Sequence, residues 1–127
     1  MKRNLPLTVT SLLSILFLSF HLTDDALRPR VSGTWESGPG NIIAVVVLFV
    51  FLFGTVTLAG RRSGYIIMLI GSLFAAAMPV LHLRANVDWS TRDRAWFFLW
   101  TMIVLGVLGL FGLVLSAVGL WKREWRD

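Results

Sequence analysis

Four stretches of this chain run for 18 residues or more without one Asp, Glu, Lys or Arg: Leu5–Leu22, Asn41–Gly60, Tyr65–Leu83 and Ala95–Trp121. A helix needs about 20 apolar residues to cross a bilayer. A soluble chain of 127 residues hides only about two-thirds of its surface, too little to cover this many apolar side chains. Hydrophobic residues make up 56% of the sequence and charged ones 15%, against about 25% charged in a soluble domain. Lipid is therefore the expected solvent. That excludes a soluble enzyme, a disordered tail and a nucleic-acid-binding domain. The expected fold is all-α, a four-helix transmembrane bundle built as two helical hairpins in one membrane domain over residues 1–127. Outer loops are expected at 23–40 and 84–94, and an inner loop at 61–64.

The first stretch follows Lys2-Arg3, as a secretory signal peptide would. Its end, Ser19-Phe20-His21-Leu22-Thr23-Asp24, lacks small residues at alternate positions, so the segment is expected to stay as a membrane helix. Basic loops remain cytoplasmic. Seven Lys and Arg fall on the side of both termini: Lys2, Arg3, Arg61, Arg62, Lys122, Arg123 and Arg126. Five fall opposite: Arg28, Arg30, Arg84, Arg92 and Arg94. The outer side also holds Asp24, Asp25, Glu36, Asp88 and Asp93, whereas the inner side has only Glu124 and Asp127. The expected placement is a cell (inner) membrane with N- and C-termini cytoplasmic, and the basic excess anchors the chain to anionic headgroups. Trp96, Trp100, Trp121 and Trp125 are expected at the two interfaces, where indole rings settle. Trp100 to Trp121 covers about 31 Å of helix, close to the hydrocarbon thickness. Arg61, Arg62, Lys122 and Arg123 are the expected inner anchors, with Tyr65 nearby.

Helices in lipid associate through small residues. Gly106, Gly109, Gly112, Ser116 and Gly119 share one face of the fourth span, and Gly71 lies four residues before Ala75 in the third. This face is expected either to pack within the bundle or to receive another subunit. Pro79 is expected to kink the third helix and free a carbonyl near Ala75. Ser90 with Asp93 fits a capping box at the start of the fourth helix. A shift of 61 residues pairs Ser11 with Ser72, His21 with His82, Trp35 with Trp96 and Arg62 with Arg123, a weak parallel repeat.

Chemistry-bearing residues concentrate at the outer end. His21, Asp24 and Asp25 share a helix face if the first helix continues that far, and His82 ends the third span at the same height. Imidazole with carboxylate could ligate zinc, copper or nickel, titrate near neutral pH, or simply mark the water boundary. Cysteine is absent, which removes disulfide redox chemistry and thiolate nucleophiles. There is no charged residue at mid-span, as ion and proton transporters usually have, and no nucleophile elbow or phosphate loop. No cofactor is expected. The leading expectation is a non-enzymatic multi-pass membrane protein that packs as a homo-oligomer or as an accessory subunit of a larger membrane complex, with the lipid bilayer as a partner and no nucleic acid. The alternative is a small transporter or sensor binding a metal ion or proton through His21, Asp24, Asp25 and His82. An enzyme using those four residues on a lipid-borne substrate ranks third.

Overall fold

The computed structural model describes residues 4–27, 39–84 and 92–125. They form four α-helices and, among the described residues, no strand: α1 (Leu5–Leu27), α2 (Pro39–Val56), α3 (Arg62–Arg84) and α4 (Arg92–Trp121). The Ser90–Asp93 cap, Trp35, Trp89 and most of both expected outer loops lie outside the described residues.

Helix and apolar span do not coincide. Backbone hydrogen bonding carries a helix on past the last apolar residue, so α1 continues from Leu22 to Leu27, while α3 and α4 begin on Arg62 and Arg92. The connection expected at 61–64 lies instead at 57–61. At the end of α2 the Phe53 carbonyl accepts from both Thr57 N (2.9 Å) and Leu58 N (3.3 Å), which loosens the last turn. Arg61 N then donates to Leu58 O at 3.0 Å, closing a turn with Gly60 at its third position. Gly60 has φ 81°, the sign that position of a type II turn requires. The Arg61 carbonyl accepts from Tyr65 N (3.1 Å) and so opens α3. Three helices are long and apolar enough to cross a membrane, through Leu5–Asp24, Arg62–Leu81 and Trp96–Trp121. The 18 residues of α2 reach about 27 Å, and its apolar part is the shorter Ile42–Val56. The expected second span to Gly60 is thus cut by the turn.

The inward positions recur at alternating intervals of four and three. On α1 they are Leu7, Ser11, Ser14, Leu18 and His21; on α4, Phe98, Met102, Leu105, Gly109, Gly112, Ser116 and Gly119, all buried. α3 follows with Tyr65, Met68, Ser72 and Ala75. A mean period of 3.5 keeps one stripe of each helix facing its neighbours in left-handed bundles. α1 packs on α2 and α4, and α3 packs on α2 and α4, with a lesser α1–α3 contact across the centre. Among the described residues α2 and α4 do not meet.

Glycines set how closely α3 approaches. Gly106 makes room for the Pro79 ring, whose Cγ would lie 2.9 Å from an added Cβ. Gly109 lies against the backbone of Ala75 and Ala76, Gly112 against the Ser72 hydroxyl, and Gly119 against the Tyr65 ring. The glycine face of α4 is therefore filled by α3 of the same chain. α3 runs unbroken through Pro79 to Arg84. On its other side Gly71 receives the Phe51 ring of α2. With Gly54 against Ile67, these pairings run α2, α3 and α4 as successive antiparallel neighbours, and Thr10 beside Gly112 together with His21 beside Phe98 sets α1 antiparallel to α4.

Candidate functional site

At the end of the bundle away from the termini, the sequence marked His21 as a surface residue. The structure places it inside. His21 is wholly buried, and its ring centroid lies 5.1 Å from that of Phe98, tilted by 39°. The reason is helix phase, since His21 continues the inward stripe set by Ser14 and Leu18. Asp24, one turn further, is half-buried. The side chains of Asp25 and His82 lie outside the described ones. Among the described residues no group of three or more His, Asp or Glu side chains is placed to hold a metal ion.

Hydroxyls are spread through the interior of the bundle. Ser14 donates to Thr10 O (2.9 Å), Thr55 to Phe51 O (2.8 Å) and Thr101 to Phe98 O (2.9 Å), each satisfied by its own helix. Ser11, Ser72 and Ser116 are also wholly buried, but their hydroxyls find no hydrogen-bond partner among the described residues. Their small size lets helices approach, as at Ser72 against Gly112.

The end that carries the termini is the most elaborately bonded, and sequence reasoning missed most of it. Asn4 caps α1: Leu7 N donates to its Oδ1 at 3.3 Å, and Thr8 N donates to its carbonyl at 3.0 Å. The position was legible, since an Asn directly before an apolar run is a helix-start signal. Its other bonds were not. Asn4 Nδ2 donates to Glu124 Oε2 at 3.0 Å, and its side chain shares a hydrogen bond with the Tyr65 hydroxyl. Three segments far apart in sequence thus meet at one amide.

The chain beyond α4 folds back on this end through a Schellman motif. Glu124 N donates to Gly119 O at 3.0 Å and Arg123 N to Leu120 O at 3.3 Å. Arg123 takes the left-handed position of that motif with φ 53°, where glycine is usual. The reversal lays Trp125 on a buried cluster of Leu7, Ile15, Phe51, Tyr65 and Met68. The Arg62 guanidinium stands 5.3 Å from the Trp125 ring centroid, within cation–π range. Trp125, expected as an interface anchor, is half-buried in this contact, while Trp96, Trp100 and Trp121 are exposed. Arg61, Arg62, Lys122 and Arg123 are all exposed. No known protein family, curated protein or solved structure matches the chain.

Replacing Asn4 with Ala is expected to remove the cap, at about 1 kcal/mol, and to strand the Tyr65 hydroxyl, at about 1 kcal/mol more. The check is the thermal midpoint in neutral detergent. A midpoint equal to the parent's would exclude the Asn4 network from the stability of the bundle.

Proposed function

We propose that this chain is a non-enzymatic multi-pass integral membrane protein whose four helices cross the cell (inner) membrane, with both termini on the cytoplasmic face. In this reading it works beside copies of itself or as an accessory subunit of a larger membrane complex. One observation carries the membrane part. The outward faces of the helices are almost wholly large and apolar, while the buried hydroxyls and His21 share the interior with core residues such as Leu18, Phe51 and Leu105. Among the described residues 29 large hydrophobics are exposed, including Phe49, Phe53, Ile70, Leu110 and Phe111, while Ser11, Ser14, His21, Thr55, Ser72, Thr101 and Ser116 are wholly buried. A soluble monomer rarely exposes an apolar patch above a few hundred Å². In lipid the same arrangement leaves the outer side chains in a medium as apolar as themselves.

The terminal end supports the orientation. The Asn4–Glu124 bond and the Arg62–Trp125 contact gather the start of α1, the segment just beyond α4 and the first residue of α3 at one end, with Arg61, Arg62, Lys122 and Arg123 on those segments. That is the basic side of the positive-inside rule. The 61-residue shift carries the inward positions Leu7, Ser11 and Ser14 onto the buried Met68, Ser72 and Ala75. It also carries Ala44, Phe51 and Thr55 onto the buried Leu105, Gly112 and Ser116. These correspondences support two equivalent hairpins related along the membrane normal. Because α3 fills the glycine face of α4, association with copies or with a larger complex rests on the remaining outward surface.

Sodium carbonate extraction of bacterial membranes holding the tagged chain tests the membrane part. The protein is expected in the membrane pellet and to be released by detergent; recovery in the carbonate supernatant overturns it. Purification in mild detergent tests the association part, which predicts a defined oligomer or a stoichiometric partner. A bare monomer alone in the eluate overturns that part.

A further inference from the structure

We propose that the terminal end of the bundle is a binding site for the phosphate head group of an anionic phospholipid, held by Arg61, Arg62, Lys122 and Arg123 around Trp125. The inference rests on the membrane reading above and adds a ligand to it. Three observations carry it.

The first is convergence. The two basic pairs lie 61 residues apart in sequence, yet Arg62 stands over the Trp125 ring, next to the reversal that holds Lys122 and Arg123. All four cations are exposed. Among the described residues none of them forms an ion pair, and Glu124, the acid described beside them, is turned to the Asn4 amide, which leaves the four cations in excess over its single negative charge. Guanidinium and ammonium groups without a carboxylate partner are the usual receptors of phosphate oxygens.

The second is an orphan donor. The Trp125 indole N–H is buried and has no acceptor among the described residues. Indole nitrogen is a donor only, so a phosphate oxygen lodged beside Arg62 would satisfy it.

The third is strain borne for a charge. Arg123 occupies a left-handed position, φ 53°, that glycine would occupy without penalty. Backbone strain of this kind collects at functional sites. At this point it presents a guanidinium where a cheaper residue would present nothing. Beside it Trp121 is 87% exposed, an indole placed at the depth where head group meets acyl chain.

The strained arginine also supplies a variant that does not depend on a folding defect. Arg123→Gly removes the charge and relieves the backbone. The full chain, purified in neutral detergent, is mixed with equal amounts of phosphatidylglycerol and phosphatidylcholine of the same acyl chains, and lipid retention is read by native mass spectrometry. The parent is expected to retain phosphatidylglycerol selectively. Arg123→Gly is expected to bind it about fivefold more weakly, the effect of one basic residue at an anionic surface, while its lipid-free thermal midpoint rises. Arg61→Gln with Arg62→Gln is expected to weaken binding about 25-fold. Equal retention of the two lipids, or variants that hold phosphatidylglycerol as the parent does, overturns the proposal. Displacement of the lipid by millimolar glycerol phosphate overturns the lipid as the source of the phosphate. Failure of the membrane reading shows separately, as protein in the carbonate supernatant before any lipid is added.

Discussion

Gly109→Ala is expected to loosen the α3–α4 pair by about 2 kcal/mol, although alanine is the better helix former. Two effects oppose each other. Alanine in place of glycine gains up to about 1 kcal/mol of helix propensity. Its Cβ, however, would overlap the backbone nitrogen of Ala76 and stand 2.9 Å from the Ala75 carbonyl carbon. Backbone atoms of a packed helix cannot rotate aside, so the overpacking cost falls near the top of its usual range, about 3 kcal/mol. The clash wins. Gly112→Ala serves as the contrast, since its new Cβ meets chiefly the Ser72 hydroxyl. That hydroxyl can turn back to its own helix, as Ser14 does toward Thr10, so propensity and clash nearly cancel and the variant should stay within about 1 kcal/mol of the parent. Unfolding of both variants in mixed detergent micelles, followed by circular dichroism, checks the difference. Equal stability of Gly109→Ala and the parent would mean that α3 does not seat on the glycine face.

The same face shows what sequence could and could not reveal. Its spacing identified the packing side of α4, because residues three and four apart share a helix face. It could not name the occupant, since a groove of glycines accepts any helix. Hydropathy located four apolar stretches but not the helix ends. The charges of Arg62 and Arg92 mark where apolar sequence stops, and a helix tolerates them. Thr57, Leu58 and Ala59 read as a continuation of α2, yet the positive φ of Gly60 turns the chain there. His21 shows polarity giving way to helix phase: a polar residue at a span end reads as the water boundary, yet the side chain is wholly buried. The stripe Leu7, Ser11, Ser14, Leu18 already pointed inward at His21, and phase outweighs polarity once the helix runs on. The terminal network was invisible for a different reason. Asn4, Tyr65 and Glu124 are joined by tertiary contact alone, and no spacing rule connects residues so distant in the chain.

Phe111→Lys should separate lipid from water as the surroundings of this bundle, because the two solvents predict opposite signs. Phe111 lies in the middle stretch of α4 and is 63% exposed. In lipid, a lysine at the centre of a crossing helix costs about 3 kcal/mol of insertion, which is more than a hundredfold in the insertion equilibrium. In water, the same change at an exposed site would fall within about 0.5 kcal/mol and would raise solubility by breaking an apolar patch. Trp121→Lys is the matched control. It is more exposed still, but it lies at the end of α4, where a lysine stem reaches the head groups, so insertion should survive. The readout is the fraction of each variant in the carbonate-resistant pellet. A sharp loss for Phe111→Lys with none for Trp121→Lys fits hydrocarbon around the middle of α4 and head groups at its end. A Phe111→Lys protein that is soluble, folded and as stable as the parent would place that face in water, and with it the whole outward array of Leu, Val, Ile and Phe would need another explanation.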